Sequence, residues 1–215
     1  AYAITQENPS IHIDEARKQI FLVDSRGLIT KNRKAGRIEG TEKERYAHVF
    51  QDMGVGLADI VKAVQPNCLL GVSAIHGAFT QDVCLNMMEC NEKPLICALS
   101  NPTSKAECTA EQAYNWCQGN VFFCSGSPFE PVKYNNKLYV TGQANNSYIF
   151  PGVSLGVIAI QARRVPEQFF YLAAKALAQV LTNEDIKTGS LFPPLSKIRQ
   201  VSLHIATIVA EEAYK

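Results

Sequence analysis

Short apolar runs alternate with segments of helical spacing through the middle of the chain. Residues 68–72, 94–99 and 121–124 are apolar runs without the polar alternation of a half-exposed strand, which is typical of strands that a parallel sheet covers on both faces. Residues 81–90 and 109–117 lie between these runs and carry the end signals of helices. This order of strand, loop and helix predicts an α/β fold with a doubly wound parallel sheet.

Capping residues mark where several of these helices begin. Thr80 and Thr109 stand at predicted N-cap positions, and Gln112 has the spacing that completes a capping box with Thr109. The apolar residues of 57–64 share one face of a further helix. The helices are therefore predicted from two independent signals, periodicity and capping.

Two amphipathic segments near the end of the chain are predicted to be packing helices. They lie at 166–183 and from Leu195 onward. We therefore predict a main domain at 1–165 and carboxyl-terminal helices at 166–215 that pack on the same domain.

Polar residues stand where the predicted strands end. The apolar run 20–23 stops at Asp24, as the second strand of a dinucleotide-binding unit stops at an acid that accepts hydrogen bonds from the adenosine ribose. A strand with a capped exit turn explains the same residues. The exit after Asp24 and those after the other three runs would share one edge of the sheet, and ligands bind at that edge in this architecture.

Two adjacent carboxamides, Asn145 and Asn146, lie between a predicted hairpin at 133–140 and a helix that begins near Pro151. A carboxamide offers donors and an acceptor without charge, which suits recognition of a polar ligand. Proline suits the first helical turn, because the N–H that it lacks would have no partner there. Residue types alone favour a turn and cap, whereas the convergence of strand exits favours a ligand site.

Composition describes an ordinary soluble globular protein and gives no sign of a nucleic-acid or membrane partner. Apolar residues make up 47% and charged residues 19% of the 215 residues, with a formal net charge of +1. No apolar run approaches the roughly 20 residues of a membrane span. The seven cysteines form no Cys-x-x-Cys pair, so we expect buried, reduced thiols and a cytoplasmic or mitochondrial location.

Several motifs are missing, including the glycine-rich loop that a dinucleotide-binding fold would have before residue 1. The sequence has no G-x-G-x-x-G loop, and Ser125-Gly126-Ser127 lacks the flanking glycines of a nucleophile elbow. No histidine pair or carboxylate cluster has the spacing of a metal site. His204 lies near the apolar face of the last predicted helix and is interpreted as a packing residue, while His76 in a strand-exit loop is given no catalytic role.

Several runs, in order along essentially the whole chain, resemble malic enzyme. They lie at 23–29, 71–75, 98–111, 125–129, 142–152 and 191–195. The runs 98–111 and 142–152 are long and specific. The resemblance implies a Rossmann-like, doubly wound sheet that is incomplete at its amino-terminal edge.

The malic enzyme family oxidatively decarboxylates L-malate to pyruvate and CO₂, with NAD or NADP as hydride acceptor and Mg²⁺ or Mn²⁺ as Lewis acid. The resemblance implies that Asn101 and Asn145 bind malate near the nicotinamide, with Asn146 beside them. It also implies that Val72 and Ser73 form a loop that passes the cofactor, which Asn101 contacts as well.

The resemblance extends to the residues that distinguish NADP from NAD. Asp24 matches the ribose-binding acid, and NADP-preferring members share the serine and basic residue that follow it, here Ser25 and Arg26. They also share a lysine that precedes an aromatic-Ala-His triplet, here Lys43 before 46–48. A small serine beside two cations suits a 2′-phosphate; the alternative for Lys43 is a solvated loop charge.

The sequence also departs from the family pattern. The catalytic tyrosine and lysine, the three carboxylate metal ligands and the glycine-rich loop lie upstream of the matched region in the family, and His76 replaces a usual glycine. We therefore expect a cofactor-binding portion that is inactive by itself, from a parent enzyme that is a homo-oligomer. A non-catalytic binding module stays open, as does another Rossmann-type hydroxy-acid dehydrogenase if Asn101 and Asn145 prove remote.

Overall fold

Four parallel strands form the main sheet of this computed structural model, which describes residues 1–34, 36–51, 53–54 and 56–214. Contacts divide the chain after Gln65 into a first unit and a second unit, and the second contains the sheet. The proposed boundary after residue 165 stays a prediction.

The main sheet has its strands in the order β3, β4, β5, β8, and all three neighbouring pairs are parallel. The strands are β3 (Cys68–Gly71), β4 (Leu95–Ala98), β5 (Phe122–Ser125) and β8 (Gly142–Gln143). The helices α4 (Gln81–Cys90) and α5 (Ala110–Trp116) connect the first three. The predicted α/β, Rossmann-like fold is confirmed, although the two-residue strand β8 was not predicted.

Both predicted caps are present in the second unit. Thr80 Oγ1 accepts a hydrogen bond from the N–H of Val83 at 3.4 Å. At α5, Thr109 Oγ1 accepts from the N–H of Gln112 at 3.1 Å and Gln112 Oε1 accepts from the N–H of Thr109 at 2.9 Å, which completes the capping box. These bonds satisfy backbone donors that lack a partner within the helix.

The expectation that every strand is covered on both faces is wrong for β3. Leu70 is 59% exposed and Cys68 is exposed as well, whereas the β4 residues Ile96, Cys97 and Ala98 are buried. β3 stands at one end of the four-stranded sheet, so it has a hydrogen-bonded neighbour in that sheet on one side only. The apolar composition of β3 is therefore not a sign that its residues are buried.

The predicted hairpin is β6 (Val132–Tyr134) paired antiparallel with β7 (Lys137–Tyr139). Its turn residues Asn135 and Asn136 have φ values of +45° and +61°. Both lie in the left-handed region, which asparagine tolerates better than most residues and which a tight hairpin turn requires.

The carboxyl-terminal helices α6 (Phe150–Ala159), α7 (Glu167–Gln179) and α9 (Ile198–Ala213) form one apolar core. α6 approaches α9 closely because Gly152 has no side chain, since a Cβ there would lie 2.7 Å from Ile205 Cβ. The short helix α8 (Asn183–Lys187) was not predicted. It begins where Thr182 caps a new turn with Asp185, so α7 ends before the predicted residue 183.

The first unit contains α1 (Tyr2–Glu7), α2 (Ile13–Lys18), β1 (Val23–Asp24), β2 (Gly27–Leu28) and α3 (Leu57–Val64). The prediction that 20–23 is a strand of the main sheet is wrong. Only two residues form a strand, and they pair antiparallel with β2. Gly27 has a φ of +102°, which lets the chain reverse at once, so the strand that ends at Asp24 belongs to a separate two-stranded sheet.

Histidine and cysteine positions test two further expectations. His204 is exposed on α9, because its neighbour Ile205 faces the core instead, so its interpretation as a packing residue is wrong. All seven cysteines are free thiols, of which five are buried, Cys90 is half-buried and Cys68 is exposed. Within the described ranges, no helix has the length and apolar character needed to cross a bilayer.

Candidate functional site

The parallel register aligns the ends of the four main strands in one row. Gly71 pairs with Ala98, Ala98 with Ser125, and Ser125 with Gln143. The loops that follow these residues therefore leave from the same edge of the sheet. They carry five of the predicted site residues, namely Val72, Ser73, Asn101, Asn145 and Asn146.

Asn101 has a fixed orientation at this edge. Ser127 Oγ donates a hydrogen bond to Asn101 Oδ1 at 2.6 Å, so the Nδ2 group remains to donate to a ligand. Leu99 and Asn101 can lie close to Gly126 because it has no side chain. A Cβ there would lie 2.2 Å from Leu99 O and 2.9 Å from Asn101 Nδ2. Sequence reasoning considered Ser127 as part of a nucleophile motif and of the 125–129 run, and missed this role.

Asn145 is a cap in this structure, as its residue type alone favours. Its Oδ1 accepts a hydrogen bond from the N–H of Ser147 at 2.9 Å and begins a 3₁₀ turn, Asn146–Tyr148. Gln143 Nε2 donates to Gly126 O at 3.1 Å and joins this loop to the exit of β5. Asn145 and Asn146 are both exposed, so capping leaves their amides accessible to a ligand.

A buried carboxylate that sequence reasoning missed lies beneath two of these loops. Glu107 is 1% exposed. Its Oε1 accepts from Ser73 N at 3.0 Å, Ser73 Oγ at 3.2 Å and Ser100 Oγ at 2.5 Å, and its Oε2 accepts from Ser100 N at 3.3 Å. Its neighbours in sequence, Ala106 and Cys108, are also buried, but nothing in that local pattern marks Glu107 as a bridge between loops.

In the first unit, Asp24 is the centre of an ionic cluster. Its Oδ2 lies 2.6 Å from Lys43 Nζ, and its Oδ1 lies 3.1 Å from the Arg33 guanidinium and 2.9 Å from the backbone N of Arg26. Burial alone would raise the pKa of Asp24, but the hydrogen bonds from Lys43, Arg26 and Arg33 outweigh it and lower the pKa to about 2.

The remaining predicted residues flank this cluster. Ser25 and Arg26 form the exposed turn between β1 and β2. Lys43, in the 3₁₀ turn Glu42–Tyr46, is paired with Asp24 rather than being only a solvated charge. The Arg33 side chain, which sequence reasoning did not single out, is only 3% exposed; its partner Asp24 lies nine residues away in sequence, where no local pattern could reveal it.

Comparison with known proteins assigns the chain to a family. The family model described as malic enzyme, NAD binding domain, matches residues 2–214. This chain belongs to the malic enzyme NAD-binding domain family. The resemblance drawn from the sequence runs is therefore confirmed, together with the dinucleotide-binding fold that it implies.

Relatives named as NADP-dependent malic enzymes are similar over nearly the whole chain. The protein from Vitis vinifera is 49% identical over 203 residues, which cover 94% of this chain and 34% of that protein. The protein from Anas platyrhynchos is 47% identical over 213 residues, covering 99% of this chain and 38% of that protein. A relative from Flaveria trinervia with 47% identity is named chloroplastic. The chain thus spans about a third of the length of these relatives.

The described residues do not supply a set of ligands for the divalent metal of malic enzyme. In the part of the chain that the structure describes, no three His, Cys, Asp or Glu side chains form a group that could hold a metal ion. Asp24 and Glu107, the two carboxylates of the sites above, already have their oxygens bonded to protein donors. No step through a metal is therefore derived from these residues.

Proposed function

We propose that this chain is the cofactor-binding portion of an NADP-preferring malic enzyme, which converts L-malate to pyruvate and CO₂. The observation that carries the proposal is the Asp24 cluster, in which a carboxylate at a strand end is held by Lys43 and Arg33 beside the exposed Ser25 and Arg26. An acid of this kind accepts hydrogen bonds from the ribose hydroxyls of a dinucleotide.

The same cluster fits the 2′-phosphate of NADP. Lys43 is 49% exposed at its side chain, so its ammonium can reach a ligand while it remains near Asp24. Arg26 is exposed in the adjacent turn, and Ser25 is small enough to leave room. A phosphate between two cations forms charge-assisted hydrogen bonds, which are roughly twice as strong as neutral ones.

The edge of the main sheet supplies amide groups for the substrate. Asn101 presents the Nδ2 donor that Ser127 orients, and Asn145 and Asn146 add exposed carboxamides. Amide donors suit the carboxylates of malate without the desolvation cost of a buried cation. When bound, NADP supplies the hydride acceptor, and these residues bind and orient the two ligands.

We infer that the chain alone does not turn malate over. No residue here matches the catalytic tyrosine, lysine and metal ligands that the family resemblance requires, and the described residues contain no metal-binding group. A metal-dependent rate of NADPH formation from malate by the purified chain would contradict this inference. Binding without turnover would leave a non-catalytic binding module as a description of the isolated chain.

The decisive experiment compares NADP and NAD binding to the chain by calorimetry, with a Lys43→Gln variant. We expect NADP to bind more tightly than NAD, and Lys43→Gln to weaken NADP binding about tenfold, which corresponds to the loss of one charge-assisted hydrogen bond. NAD, which lacks the 2′-phosphate, should bind both proteins equally. Lys62→Gln, which changes an exposed lysine of α3, is the matched control.

Equal affinities for NADP and NAD, or an effect of Lys43→Gln on both, would overturn the assignment of NADP preference. The homo-oligomeric state proposed for the complete enzyme is measured separately by light scattering of the full-length protein. A cytoplasmic location also stays a prediction, since several relatives, among them that from Flaveria trinervia, are named chloroplastic.

A further inference from the structure

The carboxylate of Glu107 joins two loops that are far apart in sequence. It accepts two hydrogen bonds from Ser73, which follows β3, and two from Ser100, which follows β4. Ser73 is 34 residues from Glu107 along the chain. The N–H of Ala74 also donates to Ser100 Oγ at 2.8 Å. Ser100 therefore links Glu107 to a second residue of the loop that follows β3.

We propose that Glu107 is a positioning residue that holds the β3 and β4 exit loops in the one arrangement that binds the nicotinamide half of the cofactor. The proposal rests on the proposed function and on the family resemblance, which implies that Val72, Ser73 and Asn101 contact the dinucleotide. Glu107 touches no ligand itself, because its side chain is covered by the loops that it holds.

Backbone hydrogen bonds hold the main chain around Glu107 in place. Its carbonyl oxygen accepts from the N–H of Phe79 at 3.0 Å, and the carbonyl of Ala106 accepts from the N–H of Gly77 at 3.3 Å. The side chain also fills the space beside Gly71, where an added Cβ would lie 2.5 Å from Glu107 Cδ. The carboxylate therefore has little freedom to follow a loop that moves.

Only a carboxylate meets the demands of this position. Its two oxygens face backbone N–H groups from Ser73 and Ser100, which can donate but cannot accept. A glutamine of the same size would turn an NH₂ group toward at least one of these donors. One loop would then lose its anchor, while the sheet beneath, which has its own hydrogen-bond ladder, would stay paired.

The experiment combines two readouts on the purified chain and its Glu107→Gln variant. Calorimetry measures binding of NADP and of adenosine 2′,5′-bisphosphate, a probe that has the 2′-phosphate but no nicotinamide. NMR measures amide hydrogen exchange at Ser73 and Ser100, with the β5 amides at 122–125 as an internal reference. Glu111→Gln, the same change at an exposed carboxylate of α5, is the matched control.

We expect Glu107→Gln to weaken NADP binding about tenfold and to speed exchange at Ser73 and Ser100 by a similar factor, since a hydrogen bond to a charged group is lost. Binding of the bisphosphate and exchange in β5 should not change. This pattern separates positioning from a general loss of stability, which would affect both probes and all amides.

Equal weakening of both probes, or faster exchange throughout β5, would overturn the proposal, as would unchanged NADP binding despite loosened loops. A wild-type chain that binds neither probe would contradict the proposed function and the nucleotide part of this inference. The exchange result would then decide alone whether Glu107 holds the two loops.

Discussion

Two acidic side chains, one in each unit, have different kinds of hydrogen-bond partner. Asp24 has a side chain that is 24% exposed and is paired with the cationic groups of Lys43 and Arg33. Glu107 is 1% exposed and accepts hydrogen bonds from the backbone and hydroxyl groups of two serines. Both are bonded to several donors, but only Asp24 has cationic side chains among its partners.

The kind of partner decides whether a carboxylate can take part in ligand binding or only fixes the loops around it. A lysine that contacts Asp24 can turn to a phosphate when one arrives, because its four-carbon stem is flexible and half in water. Backbone donors cannot turn without moving their loop. Cationic partners therefore suit a carboxylate that meets a ligand, and backbone partners suit one that fixes the shape of loops around it.

The largest effect is expected at Gly71, which packs against Glu107. In a Gly71→Ala variant, the new Cβ would lie 2.5 Å from Glu107 Cδ and 2.7 Å from Cγ. Because the carboxylate is held by four bonds, we expect a loss of about 2–3 kcal/mol in the free energy of unfolding, at the upper end for overpacked sites. Urea denaturation of the chain measures this loss.

A double variant tests whether the contact with Glu107 is the cause. Glu107→Asp shortens the side chain and should relieve the clash, so the double variant should lose less stability than the sum of the two single changes. Additive losses would show that Gly71 is needed for a reason other than its distance from Glu107, and would weaken the contrast with Asp24.

A smaller effect is expected when the Asp24 cluster is titrated. The pKa of Asp24 is lowered from 3.8 to about 2 in the folded chain, so its contribution to stability is fully present above pH 3.8 and is lost as the pH falls through about 2. The loss should be about 2 kcal/mol. It is measured as the difference in unfolding free energy between the wild type and Asp24→Asn over this pH range.

A Lys43→Met variant tests the cause of this shift, because it removes the hydrogen bond that lowers the pKa of Asp24 most. The Asp24 carboxyl should then titrate at a higher pH, as followed by its carbon NMR signal. An unchanged titration would mean that Arg33 and the Arg26 backbone hold the charge without Lys43, and that the lysine contributes little before a ligand binds.

The smallest effect is expected at Ser127, which orients Asn101. Ser127→Ala removes the bond to Asn101 Oδ1 and should cost about 1 kcal/mol of unfolding free energy, as for a typical neutral hydrogen bond. The Asn101 side-chain amide should show greater mobility by NMR. Ser125→Ala is the control, because Ser125 Oγ donates to the carbonyl of Ser127 rather than to Asn101.

Local patterns predicted those parts of the fold that depend on neighbours in sequence. The caps at Thr80 and Thr109 join residues three apart, and the Asn135-Asn136 turn needs only its own conformational preferences. The run 20–23 misled because apolar residues do not specify a strand partner, and the turn at Gly27 decided the pairing instead.

The site was predictable only in part for the same reason. The positions of Val72, Ser73 and Asn101 followed from a parallel sheet, whose strand ends share an edge. Their supports did not, because Ser127 reaches Asn101 across 26 residues and Glu107 reaches Ser73 across 34. A serine or an acid in a loop gives no local sign that its partner lies on another strand.

The open side of β3 also bears on how the purified chain behaves in solution. No strand pairs with its outer side in the described parts of the chain, and Cys68–Gly71 carries no charge. An uncharged edge presents backbone groups to which a strand of another molecule can add, with no charge to repel it. We therefore expect self-association to compete with ligand binding as the protein concentration rises. Ligand affinities should accordingly be measured in dilute samples.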